Sequence, residues 1–276
     1  MKFRLPLPMS LPLLGCLAFA GFASGSVQAE TQTDQVDTIL AIFAHSDDEI
    51  QASPVLTKYA REGTNVHLVI AMDGQRGGSN NDLEPADLVL RRAVELQCSA
   101  TALGFETPVN LGYVAGQAYE HIYEIKADIQ AIFADIKPDV VMTWGPDGGY
   151  GHKDHKLISS IVTDIFQSGS PDGSAWPTSL YYPAFPQDLL RDDFSPTSQY
   201  GYTLQALWGT TDYDYLEYVI PFSDEDKAAV KTATSCHTSQ WSPETMVDLH
   251  AMVEVGDNKM YLRKALHKAQ GKTKLD

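Results

Sequence analysis

The chain has 276 residues, with 36 Asp and Glu against 20 Lys and Arg, for a formal charge of −16. So acidic a surface repels nucleic acid and anionic membrane, and argues against both as partners. Apolar residues make up 43 %, enough for one large core, and the three cysteines include no CxxC pair, which argues against a thiolate metal site.

Residues 1–29 are expected to be a leader rather than part of the fold. Lys2 and Arg4 make a basic start, residues 5–22 are mostly apolar, and Val27-Gln28-Ala29 fits a small-residue cleavage site. Pro6, Pro8 and Pro12 make this stretch a poor membrane span, and no other segment offers an integral one. Leu13-Leu14-Gly15-Cys16 provides an alternative, acylation of Cys16 as a lipid anchor. Simple cleavage is preferred because apolar residues continue past that cysteine. Either way the product is expected to be exported, periplasmic or secreted. Whether Cys98 and Cys236 then pair is left open by the sequence. Residues 30–276 are expected to form a single domain.

An apolar run over residues 37–44 predicts the first strand, and residues 50–63 have helical spacing with a glycine stop. Residues 65–72 predict the second strand, followed by a glycine-containing loop over residues 73–80 that permits close backbone approach to a ligand. A long amphipathic helix is predicted over residues 84–103, a strand over 108–113, a helix over 119–136 and a strand over 139–144. A helix over 156–166 follows. Further on, strands are predicted at 180–185 and 215–220, and helices at 224–235 and 252–269. Aromatic residues such as Trp208 in the intervening stretch suit either stacking on a sugar or capping the core. The alternation of strands and helices predicts an α/β fold, a Rossmann-like and mainly parallel sheet with helices on both faces. Ligands in such folds bind beyond the carboxyl ends of the strands, but no GxGxxG follows the first strand, so a dinucleotide is not expected.

Chemistry is concentrated at two of those strand ends. The first strand runs into Ala44-His45-Ser46-Asp47-Asp48-Glu49. Adjacent carboxylates beside a core repel each other, and a divalent cation relieves this. His45 and Asp48 can reach one ion from a tight turn, leaving Asp47 free to handle a proton. About a hundred residues on, the strand over 139–144 leads into Asp147-Gly148-Gly149-Tyr150-Gly151-His152-Lys153-Asp154-His155. His152 and His155 are three apart at a helix start, so they share a face. One can bind the metal while the other meets the substrate. His45, Asp48 and His155 together make three N/O ligands with an open position, the pattern of a hydrolytic zinc site.

These residues carry a resemblance. His45-Ser46-Asp47-Asp48-Glu49 resembles the AHPDDE motif of the LmbE-like (PIG-L) family of zinc-dependent N-acetylglucosaminyl deacetylases. The segment from Gly148 to His155 resembles that family's GGYGHPDH, as in its mycothiol-pathway deacetylases. Ser46 and Lys153 replace prolines that supply no ligand atom. Arg92, Glu95, Leu96 and Leu103-Gly104 resemble its RxxEL…LG segment, and Lys227 with His237-Thr238-Ser239-Gln240 its KxxA…HxSQ signature. The resemblance spans residues 37–240. It implies one zinc per chain on His45, Asp48 and His155, Asp47 as general base, and an N-acetylated amino-sugar substrate.

His152, preferably as imidazolium and oriented by Asp154, is expected to stabilise the oxyanion. Tyr150 is expected to donate there or close over the substrate, with Arg92 and His237 as substrate contacts. Two departures stand out: Asp73 replaces a Thr, and Ala115 falls where sugar deacetylases carry a hydroxyl-binding Asp. The latter keeps open an amidase acting on another N-acyl group. A non-catalytic, metal-dependent sugar-binding protein is the more distant alternative. No GxSxG is present, which disfavours acyl-enzyme chemistry.

Overall fold

Runs of Ile, Val, Leu and Ala build the middle of the sheet. In the computed structural model, β1 (Thr38–Phe43) lies between β2 (Asn65–Met72) and β4 (Val140–Thr143), with β3 (Val109–Tyr113) outside β2 and β5 (Ser179–Pro186) outside β4. All five are parallel, in the order β3-β2-β1-β4-β5. β1 is buried on both faces, so it reads as a continuous apolar run rather than an alternation. The structure describes residues 36–77, 83–186 and 188–267, which fall in one compact unit. The expected leader and part of the loop at 73–80 lie outside the described residues.

Alternation along β1 divides the core in two. Ile39, Ala41 and Phe43 pack with Val55 and Leu56 of α1 (Ser53–Arg61), Leu96 and Leu103 of α2 (Pro85–Leu103), and Val230 and Ala233 of α6 (Asp224–Thr234). Leu40 and Ile42 pack the other way, on Ile125, Ile129 and Phe133 of α3 (Ile122–Ile136) and on Ile158, Ile161 and Ile165 of α4 (Lys153–Ser168). The expected Rossmann-like sheet with helices on both faces is therefore present. Among the described residues no helix is long and apolar enough to cross a membrane.

The carboxyl-terminal third departs from expectation. Residues 252–269 were expected to form an outer helix. Instead α7 (Pro243–Met252) ends where that helix was to begin, and β8 (Lys259–His267) enters the sheet. β8 is antiparallel to β5 and to β7 (Tyr218–Pro221), so the sheet continues β5-β8-β7, while β6 (Thr210–Thr211) pairs beside β5. Buried Met260 and Leu262 have the two-residue period of a strand, in a stretch short enough to fit a helical pattern as well.

α5 (Gln199–Leu207) is pinned to α7 by one carboxylate. Asp248, 1 % exposed, accepts from Thr197 N (2.8 Å) and Oγ1 (2.8 Å), and from Ser198 N (2.7 Å) and Oγ (2.6 Å). Burial alone would raise its carboxyl, but those hydrogen bonds outweigh it and hold the group below the ordinary range. Asp248→Ala strands these donors, and is expected to lower stability by about 2–3 kcal/mol in urea unfolding near neutral pH. A carboxyl depressed in the folded state stabilises above its unfolded value of about 3.9. The gap between wild type and variant should therefore shrink as pH falls below about 4.

Candidate active site

The strand order reverses between β1 and β4, and the loops leaving their carboxyl ends meet there. The first loop is closed by Asp48. Its Oδ2 accepts from the backbone N–H of Ala44 (3.0 Å) and His45 (2.8 Å) and from the Trp144 indole (3.0 Å). One oxygen thus shapes the turn after β1 and ties it to the end of β4. The other, Oδ1, stands 3.2 Å from His155 Nε2. Burial alone would raise the Asp48 carboxyl, but the facing His155 and His45 hold it well below the usual range.

The second loop turns tightly through Gly148, Gly149 and Gly151, all at positive φ. A side chain at Gly149 would place Cβ 2.7 Å from the Trp144 ring. The loop enters α4 at Lys153, three residues earlier than expected, because His152 caps the helix: its Nδ1 accepts from Asp154 N at 3.2 Å. This puts the buried His155 on the first turn, stacked on Trp144 at 4.2 Å with 7° between the planes.

His45 and His155 are aimed at one point. The outer nitrogen of His155, Nδ1, lies 3.1 Å from the Gly148 carbonyl oxygen, and that of His45, Nε2, lies 3.2 Å from Asp154 Oδ2. Each outer nitrogen therefore donates its proton to an oxygen, the usual support of a metal-ligating imidazole. The inner nitrogens, His45 Nδ1 and His155 Nε2, face each other 3.1 Å apart. Two such nitrogens meet at this distance only across a positive charge, a shared proton or a metal ion. His152 contributes a third ring nitrogen, all three lying within 4.8 Å of one another. Two or three imidazoles and one free carboxylate oxygen suit a borderline divalent ion such as zinc. Burial opposes charge on His45, yet the Asp154 and Asp48 carboxylates raise its pKa to about 10. The pocket thus favours positive charge at this point.

Two expected details are corrected. The Asp154 carboxylate orients His45, not His152, and also accepts from Gly116 N at 2.8 Å. His152 is not set up as an imidazolium: burial, then repulsion from His155 and His45, brings it down to about 4. With Nδ1 accepting from Asp154 N, the proton of the neutral ring belongs on Nε2.

Asp47 sits in a left-handed backbone conformation (φ 113°), uncommon for a residue with a side chain. Its N–H donates to Glu49 Oε2 at 2.9 Å. Burial, and then the charge of Asp48, push the Asp47 carboxyl up to about 7, against the pull of Arg92, His237 and His45. Glu49 is fully buried, and its Oε1 receives Ser99 Oγ (2.6 Å) and His237 Nε2 (2.7 Å). His237, expected as a substrate contact, therefore lies a layer beneath the cavity, 1 % exposed, bracing Glu49. The segment after it is held by Glu95, which takes Ser239 N and Oγ and Thr238 Oγ1. Cys98 of α2 is disulfide-bonded to Cys236, resolving the pairing left open by the sequence.

A cavity of about 410 Å³ opens over these groups. His45, Asp47, Asp48, His152, Asp154, Arg92 and Tyr150 all line it, as does Ala115. Arg92 is 3 % exposed, and among the described residues its Nε and Nη2 have no hydrogen-bond partner. Burial, then nearby Asp48, keep the Tyr150 phenol protonated by raising its pKa. Trp208 packs on Tyr150, Trp144 and Phe185 as part of the core. Asp73 closes a turn onto Gln75, organising the loop that reaches Gly77. Sequence reasoning missed Trp144, Gly116, Arg76, Lys153 and Gln240. Trp144, Lys153 and Gln240 stand inside or beside the motifs, and Arg76 lies in the glycine-containing loop, but nothing in the pattern marks Gly116.

The family described as "PIG-L: GlcNAc-PI de-N-acetylase" matches residues 40–166, the segment that carries both motifs. A curated relative from Rhodococcus opacus (strain B4), "1D-myo-inositol 2-acetamido-2-deoxy-alpha-D-glucopyranoside deacetylase", is 29 % identical over 175 residues, covering 52 % of this chain and 60 % of that protein. The chain thus spans little more than half the length of such relatives. In solved structures the fold is similar to N,N'-diacetylchitobiose deacetylase from Pyrococcus horikoshii (17 % identity, 83 % of each chain, TM-score 0.64). It is also similar to the 4-carboxy-2-hydroxymuconate hydratase GalB from Pseudomonas putida (14 % identity, 86 % of this chain and 99 % of that one, TM-score 0.58). One fold thus carries two chemistries, and the activity has to be argued from the site.

The Glu49–His237 pair gives a pH test. Burial disfavours both charges, but each partner overrides it, depressing Glu49 and raising His237. Removing one member of a buried pair costs about 3–5 kcal/mol, so His237→Ala should lose about that much. A raised histidine stabilises fully below about pH 6.5 and fades as pH rises through its folded value. A depressed carboxyl stabilises above about pH 4.3 and fades as pH falls through its own. The deficit in His237→Ala, followed by chemical unfolding, should be largest between about pH 4.3 and 6.5.

Proposed function

We propose that this chain is a zinc-dependent N-deacetylase that hydrolyses the acetamide of an N-acetylated amino sugar or related glycoconjugate to the free amine and acetate. The observation that carries this is the pair of inner nitrogens of His45 and His155, 3.1 Å apart beside the free oxygen of Asp48, with a near-neutral carboxylate, Asp47, next to them. His45, Asp48 and His155 would hold the metal, which supplies a Lewis acid that acidifies water and polarises the amide carbonyl.

The remaining steps belong to the chain. Asp47, poised near 7, accepts a proton from the attacking water and returns it to the departing amine. The left-handed turn held by Glu49 presents that carboxylate to the cavity. His152 donates from Nε2 to the carbonyl oxygen as it becomes negative, and the Tyr150 phenol stands on the same side. Asp154 and the Gly148 carbonyl keep the two ligand imidazoles in register. Arg92 faces the sugar.

The name carried by the Rhodococcus relative, a deacetylase of an acetamido sugar, supports this reading. Ala115 in the cavity wall favours, as a second reading, the same chemistry on a different N-acyl group. Export through the leader at residues 1–29 is part of the proposal, and the Cys98–Cys236 disulfide supports an oxidising compartment.

The test is acetate release from a panel of N-acetyl sugars and N-acyl amines, with metal content measured on the same samples. Asp47→Ala should retain stoichiometric metal and lose about 10²–10⁴ in kcat; full activity removes its role as base. His155→Ala should lose metal and activity together, and stoichiometric zinc in that variant contradicts the ligand set. His152→Ala should lower kcat by about 10²–10³ with little change in KM.

A further inference from the structure

Cations in this acidic chain are mostly spent on carboxylates. Arg61 sits on Asp226, Arg91 on Glu95, Lys126 on Asp164, Lys227 on Glu254 and Arg263 on Asp147. The cavity gathers several that are not. Arg76, Arg92 and Lys153 all line it, and among the described residues none of the three has an ion-pair partner. Arg92 is buried with two guanidinium nitrogens unpartnered, while Arg76 and Lys153 are exposed.

Arg76 and Lys153 come from different elements and converge. Arg76 stands on the loop after β2 and Lys153 on the first residue of α4. They meet at Gly116: a Cβ there would lie 3.4 Å from Lys153 Nζ and 3.9 Å from Arg76 Nη1. Among the described residues, the hydrogen bonds of these two side chains are long ones to backbone carbonyls, Arg76 Nη1 to Ala115 O at 3.5 Å and Lys153 Nζ to Gly116 O at 3.3 Å. Ala115 and Gly116 bring no carboxylate to answer them.

Charge arithmetic points the same way. The cavity's cations Arg76, Arg92 and Lys153 balance Asp47, Asp48 and Asp154. A divalent ion at the imidazole pair then leaves the cavity positive by about two charges, on a protein of formal charge −16. A positive, partly enclosed pocket on a negative body concentrates anions and repels little that is neutral.

We infer that Arg76 and Lys153 form an anion subsite beside the scissile group, so that the substrate is an N-acylated amino sugar carrying a phosphate or carboxylate substituent. The inference rests on the proposed deacetylase reading for the sugar half of the ligand. The anion half rests on the two side chains themselves. A guanidinium and an ammonium around one bare glycine present several donors to a single oxyanion, and charge-assisted bonds of this kind are roughly twice as strong as neutral ones.

The experiment is calorimetric binding to the zinc-loaded full chain of glucosamine, glucosamine 6-phosphate and muramic acid, which adds a carboxylate to the same sugar. At about 50 mM salt one or both anionic sugars should bind about tenfold tighter or better, and the preference should shrink at high salt. The phosphate and carboxylate arms tell which oxyanion the subsite takes. In Arg76→Gln/Lys153→Gln, both positions being exposed, the preference should fall to about twofold or less. Equal affinity for all three sugars in the wild type overturns the inference. So does a preference that survives in the double variant, since the anion would then sit on the metal or on Arg92. Acetate release from N-acetylglucosamine and its 6-phosphate separates the two claims. No acetate with the binding preference intact sinks the deacetylase reading alone, and turnover without any anionic preference sinks the subsite alone.

Discussion

One carboxylate oxygen holds the site together. Asp48 Oδ2 receives two backbone N–H groups from the end of β1 and the indole N–H of Trp144 from the end of β4. Those three bonds close the first loop, lock it to the neighbouring strand, and leave the second oxygen facing His155. Trp144 in turn is the flat surface on which His155 stacks. A buried carboxylate with three donors on one oxygen is held in a single orientation, and so is everything that touches it.

Beneath this lies a second polar layer whose work is mechanical. Asp47 needs a backbone conformation that L-residues avoid, a strain of about 1–3 kcal/mol that persists only where the surroundings over-determine it. Glu49 does this by accepting the Asp47 N–H, and Glu49 is itself fixed by Ser99 and His237. α2 is common to the whole layer. It carries Ser99, Glu95 and Arg92, and its Cys98 is bonded to Cys236 at the start of the His237 segment. The helix therefore sets the cavity's wall and the floor under the reactive turn at once.

Polar roles that looked interchangeable along the chain turn out to be divided by depth. His152, Tyr150, Arg92, Asp47, Arg76 and Lys153 reach the cavity, whereas His237 and Glu95 do not. Their carboxylate and imidazole chemistry is the same in kind. What separates them is which side of the β1 turn they approach from.

The sequence by itself determined the parallel core and the two reactive loops. Apolar runs such as residues 39–44 read as strands buried on both faces, and clustered His and Asp immediately after two strand-like runs have few alternatives to a shared ion. Tertiary structure decided what depends on partners far away in the chain. β8 became a strand because β5 and β7 offered edges to pair with, a choice invisible in a short stretch of ambiguous period. Asp154 turned to His45 rather than His152, and His237 sank below the cavity, because hydrogen-bond partners are assigned by three-dimensional proximity. Motif spacing names the groups that take part; only packing fixes which atoms face each other.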